Sequence, residues 1–275
     1  MPSPAETPSP LAAAPARGIK PADSAPPRTG FDLVRFEKID RMFLAWARDW
    51  LAEEVQFPVL VADSTLRQAG YPEAFPHLLL SACRCVDPAR PLDRLLASEN
   101  LAASGWLLSP AVCYHAYAWW SGRTFAAPAA LTARGRCFRH EAEFVPGRRQ
   151  LEFEMREIVL AGAPEDLAPR LDEACKRVTR LAAELGLAGT WEAAEDPFFL
   201  PTARGKQLTQ RLHETKKEFL VRDPAPLALA SINRHGAFFG ERFGLALSDG
   251  RPAHTACVAF GLDRWAAAQG LILPP

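Results

Sequence analysis

The chain has 275 residues, enough for one large domain, and its 48% hydrophobic and 23% charged content is that of an ordinary globular protein. Lys plus Arg total 32 and Asp plus Glu total 32, which excludes bulk attraction to nucleic acid or to an anionic membrane while allowing a local basic patch. No apolar run approaches the roughly 18 residues of a membrane span, there is no cationic start followed by an apolar leader, and six cysteines without a CxxC pair argue for free or metal-bound thiols in a reducing cytoplasm.

Eight of the first 27 residues are proline, and a segment so poor in burial potential predicts a disordered Pro/Ala-rich tail over 1–30, leaving 31–275 as the domain. Leu33, Phe36, Ile39, Phe43, Trp46 and Trp50 form one stripe of a helix over 33–53. FPVLVA (57–62) reads as a short strand, GYPEAFP (70–76) as a turn segment, 77–101 as mostly helical and SPAVCYHAYAWW (109–120) as an aromatic-rich strand. A hairpin with arms 135–144 and 149–160 flanks Val145-Pro146-Gly147-Arg148. Helices follow over 164–186, ending at Gly186, and over 205–221; strands follow over 226–233, 242–248 and 253–260, and Gly261 opens a helix over 262–269. Successive strands joined by turns predict an α+β fold: an antiparallel sheet with helices on one side.

The hairpin carries the first chemical signal. CFRHEAEFVPGRRQLEFEMREIVL (137–160) holds nine charged residues, and strand alternation places Arg139, Glu141, Arg149, Phe153 and Glu157 on one face. Two cations, two acids and a ring can receive a nucleotide, although a solvated face of cross-strand ion pairs uses the same residues. The second signal is HTACVAFGLDRW (254–265), a strand, a glycine turn and Arg264 in the first turn of a helix, where a guanidinium can stack on a base.

Together these resemble motifs 2 and 3 of the class II aminoacyl-tRNA synthetases: Phe138-Arg139-His140-Glu141, a loop, then Arg149 with Phe153 four residues on; and Ala259-Phe260-Gly261 with Arg264. Ala259 stands where motif 3 has its first glycine. The resemblance implies a class II synthetase-like sheet flanked by helices. It implies that Arg139 holds the α-phosphate and attacked carboxylate, that Glu141 reads the adenine amino group, that Arg149 with Arg148 holds the γ-phosphate, that Phe153 stacks on adenine and that Arg264 sandwiches it. GYPEAFPH (70–77) is similar to the motif 1 region of seryl-type enzymes, which implies a homodimer.

Cys113, Glu157 and Cys257 are far apart in sequence and each falls in an expected strand. Buried packing cysteines are one reading; two thiolates and a carboxylate with an open fourth position for Zn²⁺ are the other. The trio resembles that of archaeal-type seryl-tRNA synthetases. PAVCYHAYAWW, CFRHEAEF, MREIVLAG and HTACVAFGLDRW resemble, over roughly residues 31–270, a family of bacterial amino acid:carrier-protein ligases homologous to that catalytic core. This implies ATP- and Mg²⁺-dependent activation of a small amino acid, glycine or alanine, as its adenylate, zinc capture of the substrate amino group, and transfer to the phosphopantetheine thiol of a carrier protein. Ser231 and Asn233 are expected to line the pocket, Asn233 and Glu157 on the amino acid side. Leu227, Ala228 and Leu229 replace the glutamate that seryl enzymes place ahead of this serine for Mg²⁺. His235 reads as a wall or core residue, not a base. Basic helices over 165–185 and 205–221 are candidate docking faces for an acidic carrier. Neutral net charge and the short tail make tRNA an unexpected acceptor; transfer to tRNA or a small molecule, and a non-catalytic nucleotide-binding role, are the alternative readings.

Overall fold

The structure, a computed structural model, describes residues 27–145, 147–194, 215–222 and 225–270. In chain order its elements are α1 (Gly30–Asp49), β1 (Glu53–Glu54), β2 (Leu60–Ala62), α2 (Asp63–Gln68), α3 (Tyr71–Ala74), β3 (Ser81–Cys85), α4 (Leu92–Leu95), β4 (Leu101–Leu108), α5 (Cys113–Trp119), β5 (Thr124–Phe125), β6 (Ala129–Phe138), β7 (Glu152–Gly162), α6 (Pro164–Glu184), β8 (Gly189–Ala193), β9 (Lys216–Arg222), β10 (Pro226–Gly236), α7 (Phe238–Phe243), β11 (Ala246–Leu247), β12 (His254–Gly261) and α8 (Leu262–Gly270). A seven-stranded sheet runs β1-β6-β7-β12-β10-β9-β8. It is antiparallel except where β1 joins β6. A three-stranded sheet, β2-β4-β3, and the pair β11-β5 lie apart from it.

Alternation along β7 and β12 divides the sheet into two faces. Ile158, Leu160, Val258 and Phe260 pack against α1, α6 and α8 through Phe36, Phe43, Leu171, Val178 and Trp265, and the rings of Phe43 and Phe260 stack with centroids 3.9 Å apart. Val159, Ala161 and Cys257 face the other way, against Ala116, Tyr117, Phe239 and Phe243 of α5 and α7. Helices therefore cover both faces, which corrects the expectation of helices on one side. α5 and α7 are short because they must leave the central strands open.

The long helices match the sequence reading. α6 begins at Pro164 with Glu165 and Asp166 in its first turn, and Gly186, at φ 72°, ends it in the left-handed conformation that glycine adopts without strain. α1 begins at Gly30, and Arg28 already pairs with Glu154 and Asp263, so order starts before residue 31; residues 1–26 lie outside the described residues.

Four segments differ. Within 109–120, Cys113–Trp119 form a helix, because Cys113, Ala116, Tyr117 and Trp120 recur at helical spacing and are all buried. Residues 77–101, expected to be helical, contain β3, which finds its partner in β4; propensity yields there to cross-strand pairing. The helix expected over 205–221 lies outside the described residues up to 214, and from Lys216 the chain is β9. The strand expected over 242–248 is the end of α7, a Gly244 cap at φ 65° and the two-residue β11. The strand expected over 57–62 shortens to β2. The hairpin is present, but its ladder closes at Phe138↔Glu152, so Arg139 to Leu151 form a loop longer than the turn predicted.

Behind the sheet, Arg156 binds Asp40 of α1 through Nε–Oδ1 at 2.6 Å and Nη2–Oδ2 at 2.9 Å, with both residues buried. Arg134 bridges Glu37 and Glu154 at 2.8 and 2.7 Å. These ion pairs fix α1 to the hairpin. Asp40→Ala would leave the Arg156 charge buried without its partner, an expected loss of about 3–5 kcal/mol in urea unfolding followed by circular dichroism. Unchanged stability would show that the pair does not hold the helix.

Candidate active site

The loop side of the sheet encloses a cavity of about 800 Å³. Cys113, Glu157 and Cys257 lie along it, as do Arg139, Glu141, Arg148, Arg149 and Phe153 of the hairpin, Ser231 and Asn233 of β10, and Arg264 of α8. Every site residue read from the sequence therefore borders the same space. Register explains the convergence: Glu218 of β9 opposes Ser231, Ser231 opposes Ala259 of β12, and Ala259 opposes Glu157 of β7. One row of side chains thus runs across four strands on the cavity face.

One end of the row holds the trio. The ligand atoms of Cys113, Glu157 and Cys257 lie within 4.8 Å of one another, and the residues are only 7%, 1% and 3% exposed. Cys113 opens α5 instead of sitting in a strand. Glu157 Oε1 accepts the Val112 N–H at 3.0 Å, one residue ahead of that helix, while its Oε2 is buried without a hydrogen-bond partner among the described residues. Burial holds the Glu157 carboxyl above its ordinary range. The hydrogen bond with Cys257, followed by burial, pushes the Cys113 thiol well up. In Cys257 the hydrogen bond with Cys113 works downward, but burial carries the thiol up. These are the signs of three potential anions gathered in a buried place, where the charge of Arg139 offsets burial of Glu157 only in part. A cation bound by two thiolates and a carboxylate oxygen would reverse all three, and that donor set suits zinc with one position open. Elemental analysis of the purified protein is expected to find about one zinc per chain and Cys257→Ser to lose most of it. Protein that neither carries zinc nor takes it up would sink the centre.

The hairpin loop and α8 bring arginines to the same cavity. Arg264 donates Nε and Nη2 to the Arg148 carbonyl at 3.2 and 2.8 Å and Nη1 to the Ala228 carbonyl at 3.0 Å. Its edges are engaged, which leaves the guanidinium plane as the surface it can present. Gly261 gives the side chain room: a Cβ there would lie 3.4 Å from Arg264 Cδ. Burial, then the charge of Arg139, lowers the Arg264 pKa, while Glu218 and Glu141 work upward. Arg139 Nε donates to the Pro110 carbonyl at 3.1 Å, and its guanidinium carbon sits 5.1 Å from the centre of the Phe153 ring. Stacking of adenine on Phe153 therefore requires that guanidinium to share or vacate the ring. Arg148 Nη1 donates to the carbonyls of Ala225 and Pro226 at 3.0 and 3.1 Å and pins the hairpin loop to the start of β10.

The sequence reading missed several wall residues. Glu218 and Lys216, ion-paired at 3.0 Å, lie in a segment expected to be helical. Tyr71, Tyr114 and Phe239 reach the cavity from helices that were read as turn or strand. The Gly70–His77 segment packs on the cavity wall through Tyr71, Ala74 and Phe75. His235 is a wall residue, as expected, with Nδ1 3.2 Å from the Tyr117 hydroxyl and 3.3 Å from that of Thr255.

No protein-family model matches the chain. Amino acid–acyl-carrier-protein ligase 1 of Bradyrhizobium diazoefficiens is 32% identical over 230 residues, covering 79% of this chain and 70% of that protein. The type-2 serine–tRNA ligase of Methanococcus maripaludis is 25% identical over 239 residues, 78% of this chain and 46% of the relative. Among solved structures, the M. kandleri seryl-tRNA synthetase in complex with A. aeolicus tRNASec superposes with a TM-score of 0.74 at 23% identity, over 88% of this chain and 52% of the synthetase. The chain thus spans about half the length of the tRNA ligases it matches, and its fold is that of a class II synthetase catalytic domain. With a ladder, a cavity and a relative in agreement, the chain belongs to the amino acid–acyl-carrier-protein ligase family.

Proposed function

We propose that the chain activates an amino acid with ATP and transfers it to the phosphopantetheine thiol of a carrier protein. The observation that carries this reading is the meeting, in one cavity, of a thiol–thiol–carboxylate trio with the guanidinium groups of Arg139, Arg149 and Arg264. In the first step a carboxylate oxygen of the amino acid attacks the α-phosphorus of ATP and the bond to pyrophosphate breaks. Arg139 and Arg149 offset the charge that develops on the phosphates, and preorganised cations at such a position lower the barrier. Glu141 and the Arg264 plane receive adenine. In the second step the carrier thiol, losing its proton, attacks the adenylate carbonyl; a thioester forms and AMP leaves.

Cys113, Glu157 and Cys257 would hold zinc, which supplies an open coordination position for an α-amino nitrogen and so selects amino acids over plain acids. Mg²⁺ would accompany ATP, with Ser231 and Glu218 as oxygen donors of the kind it prefers. Asn233 and Glu157 border the amino acid, which in this reading is a small one such as glycine or alanine. None of the six cysteines forms a disulfide, which suits the cytoplasm, and among the described residues no helix is long and apolar enough to cross a membrane. We place the active form as a homodimer. Of the two basic faces expected to dock the carrier, α6 directs Arg177 to Asp49 and Glu173 at 2.6 and 2.5 Å. Lys206 and Arg211 lie outside the described residues.

Pyrophosphate exchange across a panel of amino acids is expected to respond to a small one, and labelled amino acid to pass to phosphopantetheinylated carrier but not to apo-carrier or tRNA. Preferential charging of tRNA would overturn the acceptor, and silence with every amino acid would leave a nucleotide-binding role. Arg139→Ala should lower exchange by about 10²–10³-fold with the far-UV spectrum retained. Exchange near the unmodified rate would remove Arg139 from the chemistry.

A further inference from the structure

Asn233 has a place in the trio's surroundings that its role in the amino acid pocket does not explain. β10 and β12 bring Asn233 and Cys257 opposite each other as Cα partners. Asn233 Nδ2 lies 3.4 Å from Cys257 Sγ and 3.3 Å from Ser231 Oγ. A carboxamide nitrogen carries two hydrogens, and these two acceptors take one each. A thiolate has no proton to give, so an N–H donor is the partner that suits it. Cys113 Sγ has no such amide donor among the described residues, so the two sulfurs are unequal. Ser231, which accepts from the same amide nitrogen, borders the cavity in the row that includes Glu218.

We infer that Asn233 is a positioning residue for the metal centre: its amide N–H holds the Cys257 thiolate, and its bond to Ser231 fixes that ligand's bearing relative to the nucleotide wall. This rests on the metal reading of the trio. Groups that hydrogen-bond to metal ligands orient them and tune their donor strength. Here the N–H draws electron density from one sulfur, which weakens its donation to the metal and leaves the centre a better acceptor for an amine.

The test uses the full chain loaded with Co²⁺ in place of zinc, whose thiolate-to-cobalt charge-transfer absorption reports the sulfur directly. Asn233→Ala is compared with Asn233→Asp, which keeps the side-chain shape and replaces the donor, so that a folded variant is at hand if the alanine form fails. Without the N–H the thiolate holds its electrons less tightly, and the band is expected to move to longer wavelength in both variants. Loss of the bond that orients the ligand outweighs the stronger donation of the freed thiolate, so the zinc dissociation constant, measured by competition with a chromogenic chelator, should rise by about 10-fold or more. An unmoved band together with an unchanged zinc affinity in a folded variant would overturn the inference while leaving the metal centre standing. If the unmodified protein binds neither Co²⁺ nor Zn²⁺, the inference falls together with the metal reading.

Discussion

A carboxylate buried with one oxygen unpaired, beside two thiols, is the constraint around which this molecule is arranged. Glu157 gives one oxygen to the Val112 N–H and leaves the other without a partner among the described residues. Leaving a buried acceptor unsatisfied costs about 1–3 kcal/mol and more when it is charged, so a chain that keeps such a group gains elsewhere from keeping it. Three elements make the arrangement: β7 brings the carboxylate, β12 one thiol and α5 the other. None of them could build it alone, and the shortness of α5 and α7 keeps it within reach of the cavity.

β7 shows how one strand serves two purposes. Its side chains alternate between an ion-paired, helix-covered back and a cavity-lining front. Arg156 is as deeply buried as Glu157, yet it meets Asp40 in a two-point pair. The back is a closed network in which each charge has a partner, and it fixes α1 and the hairpin together. On the front, Glu157 Oε2 has no hydrogen-bond partner among the described residues. Stability and chemistry are thus divided between residues one position apart.

The front is also divided along its length. From Glu157 through Ala259 and Ser231 to Glu218 the row crosses three strand spacings of about 4.8 Å, roughly 14 Å in all. Arg139, Arg149 and Arg264 and the thiol–carboxylate trio border the same cavity.

The hairpin, α1, α6, β10, β12 and α8 were legible in the sequence because their signals are local: apolar spacing of 3.6 or 2, Pro-Gly at a turn, Gly186 at a helix end. The arginines, Glu141 and Phe153 could be named for the same reason, since Arg139, Glu141, Arg149, Phe153 and Arg264 keep a fixed spacing within short motifs, whereas the thiols were named from a family resemblance alone. The α5 segment was misread, because aromatic, β-prone residues at 109–120 fold as a helix once Cys113, Ala116, Tyr117 and Trp120 find a core to fill. β3 and β9 were misread for the complementary reason: a strand of ordinary composition exists only when a neighbour pairs with it. Residue types and their spacing along the chain were thus determined by the sequence alone. The meeting of Cys113 with Cys257, the Glu218 row and the hold of Asn233 on a sulfur were decided by tertiary structure, because strand register and helix docking set contacts between residues that no local signal connects.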